Sequence, residues 1–145
     1  MRLELPENKK LLFTTSWTVR WGDMDAMGHV NNVMYFKYTE HCRVDWLAQA
    51  QLMHPAPGVE PVVVNAFCNY HAQLVYPDEV VFNLYASNPG RSSVETWVTM
   101  ARVQAPEVIC ASGGATIVWV DMARQKAVAL PEGIRQLLGD GAQVR

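Results

Sequence analysis

The residues best suited to chemistry lie in one short segment, residues 20–32, between a β-rich stretch and an apolar helical stretch. It holds the carboxylates of Asp23 and Asp25 and the imidazole of His29. A carboxylate can attack a carbonyl carbon directly, or it can take a proton from a water molecule that attacks instead. A loop that only reversed the chain would not need all of these groups, so we take this segment as the candidate active loop.

A second useful group comes at the predicted start of a long helix, where Asn31 and Asn32 are good N-cap residues. Backbone N–H groups there lack intrahelical partners and lie at the positive end of the helix dipole. They can therefore stabilise negative charge on a carbonyl oxygen. One loop could thus present an acid and a donor to one carbonyl group. From the residues alone, the alternative that Asp25 only caps the loop and Asn32 only caps the helix is equally good.

The flanking elements follow from hydrophobic periodicity. Residues 11–21 alternate in their second half, which predicts a strand that ends at Gly22. Residues 32–50 contain no glycine or proline and are apolar around much of the circumference. This pattern predicts a helix of about 19 residues that other elements largely wrap.

The rest of the chain predicts strands in direct succession and then a short helix. The strands are expected at residues 61–76, 80–86, 92–103 and 108–120, and the helix at residues 131–138 with Gly139 beyond its end. Gly113 and Gly114 indicate a bulge or a close approach by another backbone. This order predicts an α+β fold in which a curved antiparallel sheet of five or six strands wraps one long helix, as a single domain over residues 1–145.

Composition excludes several classes of protein. The 145 residues carry a net charge of −2 and no basic run, which argues against nucleic-acid binding. No apolar stretch is long enough to cross a bilayer, and the first ten residues lack the apolar centre of a signal peptide. Three widely spaced cysteines predict reduced core thiols. We therefore expect a cytoplasmic protein without a membrane partner.

The active loop and its surroundings resemble the signature of the hotdog-fold acyl-CoA thioesterases, most nearly the 4-hydroxybenzoyl-CoA thioesterase-like group. The residues that carry the resemblance are Arg20-Trp21-Gly22-Asp23-Met24-Asp25, Gly28-His29-Val30-Asn31-Asn32, Tyr35, Glu40, Arg43, Tyr76-Pro77-Asp78-Glu79-Val80, Gly90-Arg91-Ser92-Ser93 and Val128-Ala129-Leu130-Pro131-Glu132. The resemblance therefore covers nearly the whole chain.

The resemblance implies a hotdog fold and hydrolysis of an acyl-CoA thioester to a carboxylic acid and free coenzyme A, with no metal or other cofactor. It maps the catalytic acid to Asp25, as general base or nucleophile, with Asp23 in support. It maps the donor that polarises the carbonyl to the backbone amide of Asn32. It also implies a homodimer, often paired into a tetramer, with active sites where subunits meet.

Other residues keep two interpretations. His29 either orients substrate or water and assists Asp25, or it bonds a backbone carbonyl within the loop. The run Arg91, Ser92 and Ser93 either contacts the phosphates or pantetheine arm of coenzyme A, or forms an exposed hairpin. The four histidines lack metal-ligand spacing.

Two alternative functions remain. A hotdog hydratase or dehydratase would act on similar thioesters, but the Asp/His or His/Glu helix pattern usual in those enzymes is absent. A binding module would hold acyl-CoA or an acyl carrier protein without turning it over, and the retained acid at Asp25 weakens that interpretation.

Overall fold

The computed structural model describes residues 3–138, so the predicted helix stop at Gly139 lies outside the described residues. The elements are β1 (Lys10–Thr18), α1 (Asn32–Gln49), β2 (Val59–Tyr70), β3 (Glu79–Ser87), β4 (Ser93–Arg102), β5 (Ile109–Asp121), β6 (Lys126–Ala127) and α2 (Glu132–Leu138), with a 3-10 turn at Trp21–Asp23. The predicted order of strand, long helix, four strands and short helix is confirmed, and β6 is added.

All the strands belong to one antiparallel sheet in the order β1-β3-β4-β5-β2, with the two-residue β6 also paired to β5. Strand β2 precedes β3 in the chain but lies at the opposite edge of the sheet from β1. This crossover spaces β2 and β3 apart, and the connection between them, residues 71–78, passes beside the active loop.

Helix α1 packs one face against the sheet. Its buried residues are Tyr35, Tyr38, Thr39, Cys42, Trp46 and Leu47. All of these except Thr39 share a core with Phe82, Leu84, Val98 and Ile117 of the sheet. The opposite face exposes Val33, Phe36 and Val44. The predicted α+β fold, a curved antiparallel sheet around one long helix, is confirmed. Within residues 3–138 the sheet covers one face of α1, so the expectation that other elements largely wrap this helix holds for that face only.

Two predicted strand ends are also wrong, and both lie at the active loop. Strand β1 stops at Thr18 rather than at residue 21, and Trp21 is 74% exposed. Strand β2 stops at Tyr70 rather than at residue 76. Beyond it the chain leaves the ladder, and the Leu74 carbonyl accepts a hydrogen bond from the Val30 N–H at 2.9 Å. Because the backbone of Leu74 is bonded to the active loop, it does not continue the hydrogen-bond ladder of β2.

The two glycines of β5 mark a close approach, as predicted. A Cβ at Gly114 would lie 2.6 Å from the Phe67 ring, and one at Gly113 would lie 3.0 Å from the Phe67 carbonyl oxygen. The β4–β5 ladder keeps its register across both glycines and shifts only between Met100 and Ala101. The glycines therefore make room for an aromatic ring of the neighbouring strand.

Candidate active site

The active loop is a tight hairpin closed between Asp25 and His29. The Asp25 N–H donates to the His29 carbonyl at 2.7 Å, and the Gly28 N–H donates to the Asp25 carbonyl at 3.2 Å. Met24 and Val30 form an antiparallel bridge at its base. Gly28 has a φ of 81°, a conformation that favours glycine. The hairpin therefore holds Asp25 on a short, internally bonded turn.

The two carboxylate oxygens of Asp25 have different surroundings. Oδ1 accepts hydrogen bonds from the N–H groups of Met27 at 2.8 Å and His29 at 3.3 Å. Within residues 3–138, Oδ2 has no hydrogen-bond partner, and the residue is only half-buried. Asp25 is therefore a loop cap, as the structural alternative supposed, and it also keeps one oxygen available to a substrate or water.

Asp23 ties the loop to the helix. Its Oδ2 accepts from the Tyr38 hydroxyl at 2.6 Å and from the Arg20 N–H at 3.2 Å, and its carbonyl accepts from the Asn31 N–H at 2.9 Å. Burial, and then the neighbouring Asp23 carboxylate, raise the pKa of Tyr38, so its hydroxyl stays protonated and donates. Asp23 is engaged on both its side chain and its backbone, as a supporting residue would be.

Among residues 3–138, the N–H of Asn32 at the start of α1 has no acceptor. Asn31 is the N-cap, and its side-chain oxygen accepts from the Val33 N–H at 3.0 Å. The Asn31 carbonyl accepts from the Met34 N–H at 2.9 Å. Asn32 is the first residue of α1, and its N–H finds no acceptor in the part of the chain that the structure describes. This is the amide that the sequence suggested as a carbonyl donor.

His29 contributes its backbone to the hairpin. Its N–H and carbonyl both bond to Asp25, and its imidazole makes no hydrogen bond to any of residues 3–138. The structure therefore lacks the bond from the ring to a backbone carbonyl that one interpretation supposed. A role for the ring toward substrate or water stays a prediction.

Arg91, Ser92 and Ser93 lie at the other end of the sheet from Asp25. The active-loop end is marked by the pair Thr18–Glu79, and the far end by the pair Ser87–Glu95. Ser87 lies eight positions after Glu79 along β3, which at ~3.3 Å per position is about 26 Å.

The Arg91 side chain is exposed and donates to the Ser92 hydroxyl at 3.2 Å. The Arg91 carbonyl accepts from the Leu130 N–H, just before α2, at 2.8 Å and from the Arg135 guanidinium of α2 at 3.3 Å. A single chain does not bring this turn to Asp25.

Sequence reasoning missed two residues that support the helix start. The Tyr70 hydroxyl donates to the Asn32 carbonyl at 2.9 Å, and the Leu74 N–H donates to the Tyr35 hydroxyl at 3.3 Å. Both sit more than 35 residues away in sequence from their partners, so no local spacing could have revealed them. The only signal was a tyrosine inside the strand predicted at residues 61–76.

The loop that carries Leu74 is fixed by Arg102. The Arg102 guanidinium contacts the Asp78 carboxylate at 3.0 Å and the Cys110 sulfur at 3.3 Å, and it donates to the Gln73 carbonyl. Asp78 in turn accepts from the Val75 N–H at 2.9 Å. One arginine of β4 thereby holds the β2–β3 connection beside the active loop.

Other chemistry is not supported around this site. Cys42 is fully buried, and burial raises the pKa of its thiol to about 12, so it is a neutral core group and not a nucleophile. Across residues 3–138, histidine, cysteine and acidic side chains do not gather in groups of three or more that could hold a metal ion. No helix in that range has both the length and the apolarity that crossing a membrane requires.

The chain has clear relatives. A family profile described as the thioesterase-like superfamily matches residues 19–138. The chain is similar to the long-chain acyl-CoA thioesterase FadM of Escherichia coli, with 30% identity over 86% of this chain and 95% of that protein.

Solved structures of similar fold also include proteins described as thioesterases. The PA2801 protein of Pseudomonas aeruginosa, a candidate thioesterase, has a TM-score of 0.84 and 35% identity, over 90% of this chain and 100% of that chain. Slr0204, a 1,4-dihydroxy-2-naphthoyl-CoA thioesterase from Synechocystis, has a TM-score of 0.78 at 17% identity, over 89% of this chain and 96% of that one. The second likeness is one of fold alone.

Proposed function

The chain belongs to the thioesterase-like superfamily, has the hotdog fold and is a thioester hydrolase, and from this premise we propose that it cleaves acyl-CoA with Asp25 as the catalytic carboxylate. The observation that carries the proposal is the contrast between two oxygens of one side chain. Oδ1 is fixed by two backbone N–H groups, while Oδ2 has no partner within residues 3–138. A carboxylate held in this way is oriented and still has an oxygen for chemistry.

Asp25 can act in two ways that fit this geometry. In direct attack, Oδ2 bonds to the thioester carbon, the C–S bond breaks and coenzyme A leaves as the thiolate; water then cleaves the mixed anhydride to release the carboxylic acid. In general-base catalysis, Oδ2 takes a proton from a water molecule as that water attacks the same carbon; the C–S bond then breaks, and the departing thiolate of coenzyme A takes the proton from Asp25. Both routes place negative charge on the carbonyl oxygen.

The Asn32 N–H is the donor we assign to that charge. It is the first helical amide of α1, without an acceptor in the described part of the chain, and the helix dipole adds positive potential there. Such a donor, fixed before the reaction, stabilises the transition state more than the ground state. The bond from the Asn31 N–H to the Asp23 carbonyl, 2.9 Å long, joins the active loop to this helix start.

We further propose that the enzyme is a homodimer joined through β2. This strand is the last in the sheet order, and it exposes Val63 at 45% and Val64 at 57%. An open apolar edge favours pairing with another strand. The exposed face of α1, with Val33, Phe36 and Val44, offers a second contact through which dimers would pair into a tetramer.

Dimerisation through β2 would also bring the β3–β4 turn with Arg91 to an active site, although a single chain holds this turn far from Asp25. If two copies of β2 pair antiparallel about a two-fold axis, the sheet of the second copy runs the other way. Its β3–β4 turn then lies at the same end as Asp25 of the first copy. Arg91 of the partner subunit, with its neighbours Ser92 and Ser93, would then meet the phosphates or pantetheine arm of coenzyme A.

Long-chain acyl-CoAs are the substrates that we propose for the first assays. The similar FadM of Escherichia coli is a long-chain acyl-CoA thioesterase. The active loop exposes Trp21 and Met27, and the adjoining β2–β3 connection exposes Tyr76; all three are apolar groups able to contact an acyl chain. The three cysteines carry no disulfide, which suits the reducing cytoplasm where we place the protein.

The test is the Asp25→Asn variant, assayed for thiol release over acyl-CoAs of increasing length. We expect kcat to fall by about 10²-fold or more, since a positioned acid or base contributes about 10²–10⁴. Asp45→Asn, at an exposed position of α1, is the matched control and should keep wild-type turnover. Wild-type turnover in Asp25→Asn would refute the assignment. Hydration of enoyl-CoA, or binding of acyl-CoA without thiol release, would favour the dehydratase or the binding module instead.

A further inference from the structure

Tyr70 links the edge of the sheet to the first residue of α1. It is the last residue of β2, and its hydroxyl donates to the Asn32 carbonyl at 2.9 Å. Its ring packs edge-on against Tyr35 of the helix, with centroids 4.9 Å apart. The residue is 46% exposed.

The peptide groups on both sides of Asn32 are almost fully engaged. On one side, the Asn31 carbonyl accepts from the Met34 N–H. On the other side, the Val33 N–H donates to the Asn31 side chain, and the Asn32 carbonyl accepts from Tyr70. The Asn32 N–H is the remaining polar group, and it has no acceptor within residues 3–138.

We propose that Tyr70 is a positioning residue that fixes the direction of the Asn32 N–H through the neighbouring carbonyl. The inference rests on the proposed function, because the direction of this N–H matters only if it meets the thioester carbonyl. The Tyr70 hydrogen bond joins this helix start to β2, the edge strand of the sheet, and it therefore opposes any tilt of the first turn away from β2.

The chemistry of the phenol suits a permanent donor. Partial burial, and then the nearby Cys68, raise the pKa of Tyr70 to about 12. The hydroxyl thus keeps its proton throughout the neutral range, where an aspartate is ionised. Its contribution should accordingly be the same at every pH at which the enzyme works.

Tyr70→Phe keeps the ring against Tyr35 and removes only the hydroxyl. Loss of a whole oxyanion donor costs about 10²–10³ in kcat, and a donor that is only released from its best direction should cost about tenfold. We expect that tenfold loss in kcat with KM within about twofold, and an unchanged pH profile. Tyr85→Phe is the matched control, because Tyr85 lies on β3 facing away from the core of α1 and its hydroxyl makes no hydrogen bond to residues 3–138.

A spectroscopic measurement separates positioning from loss of fold. The probe is an acyl-CoA analogue in which a CH₂ group replaces the thioester sulfur and the carbonyl carbon is ¹³C. In difference infrared spectra, the Asn32 donor should lower the carbonyl frequency of the bound probe in the wild type and in Tyr85→Phe. In Tyr70→Phe the shift should shrink by about half, in proportion to a weakened donor, and a purely structural role would lower only the melting temperature.

The outcomes distinguish this inference from the proposed function. If the wild type hydrolyses acyl-CoA, Asp25→Asn does not, and Tyr70→Phe keeps both kcat and the carbonyl shift, the positioning role is wrong and the proposed function stands. If the wild type releases no thiol from any acyl-CoA, the proposed function fails, and this inference fails with it.

Discussion

Tyr38→Phe should weaken the link between the active loop and the helix. The Tyr38 side chain is buried, and its hydroxyl bonds to the Asp23 carboxylate at 2.6 Å. A hydrogen bond to a charged group contributes about 1.5–3 kcal/mol. The Phe ring would keep the packing against Trp17 and Phe82. Asp23 would keep its hydrogen bond from the Arg20 N–H, and water could reach its half-buried carboxylate. We therefore expect the free energy of unfolding to fall by about 2 kcal/mol, near the low end of that range, and Tm to fall by about 6 °C.

The same substitution should change the stability at high pH. The raised pKa of Tyr38 means that the folded protein binds the phenolic proton more tightly than the unfolded chain does. This contribution is complete below the unfolded pKa of about 10 and is lost as the pH rises above it. The wild type should therefore lose stability above about pH 10 more steeply than Tyr38→Phe, although Tyr35 and Tyr70, whose pKa values are also raised, leave a slope in both proteins.

Urea denaturation at pH 7 and at about pH 10.5 measures both effects, with Tyr85→Phe as the control that should stay within about 0.5 kcal/mol of wild type. A Tyr38→Phe protein as stable as the control at pH 7 would refute the account of this link. Thiol release should also fall in Tyr38→Phe, because the loop that carries Asp25 loses one of its ties to α1.

Two further substitutions test the sheet. Gly114→Ala would place a Cβ within 2.6 Å of the Phe67 ring, so we expect thermal unfolding to show a loss of about 1–3 kcal/mol from overpacking; an unchanged Tm would mean that the ring moves freely. Val64→Lys would put a charge on the exposed edge of β2, where strand pairing should be blocked. Sedimentation should then show a monomer with native circular dichroism, whereas Val108→Lys, at an exposed site before β5, should stay dimeric; a dimeric Val64→Lys would contradict the proposed interface.

Local features of this fold could be predicted from the sequence. Helix α1 runs over Asn32–Gln49, one residue short of the predicted end, because an uninterrupted run without glycine or proline leaves few other structures. Asn31 caps it as expected, since its side chain reaches only a nearby amide. The placement of Asp25 in a tight loop was also predictable from nearby residues, because backbone hydrogen bonds within residues 25–29 close that hairpin.

Features that depend on the strand order could not be predicted. The turn at Arg91 was predicted as a possible part of the site, but β3 places it at the other end of the sheet from Asp25. The spacing of residues in the sequence does not indicate that β2 pairs with β5 at the edge of the sheet. The contact between Tyr70 and Asn32 arises from that same order. The end of β2 was misplaced because residues 71–76 are β-rich but leave the ladder to meet the active loop.

The proposed catalysis requires Asp25 and the first amide of α1 to meet at one carbonyl group. The most direct measurement is a crystal structure of the Asp25→Asn variant with an acyl-CoA bound. We predict the thioester oxygen at about 3 Å from the Asn32 nitrogen and its carbon at about 3.5 Å from the side chain at position 25. A thioester that lies against another part of the protein, with its oxygen bonded elsewhere, would contradict the account.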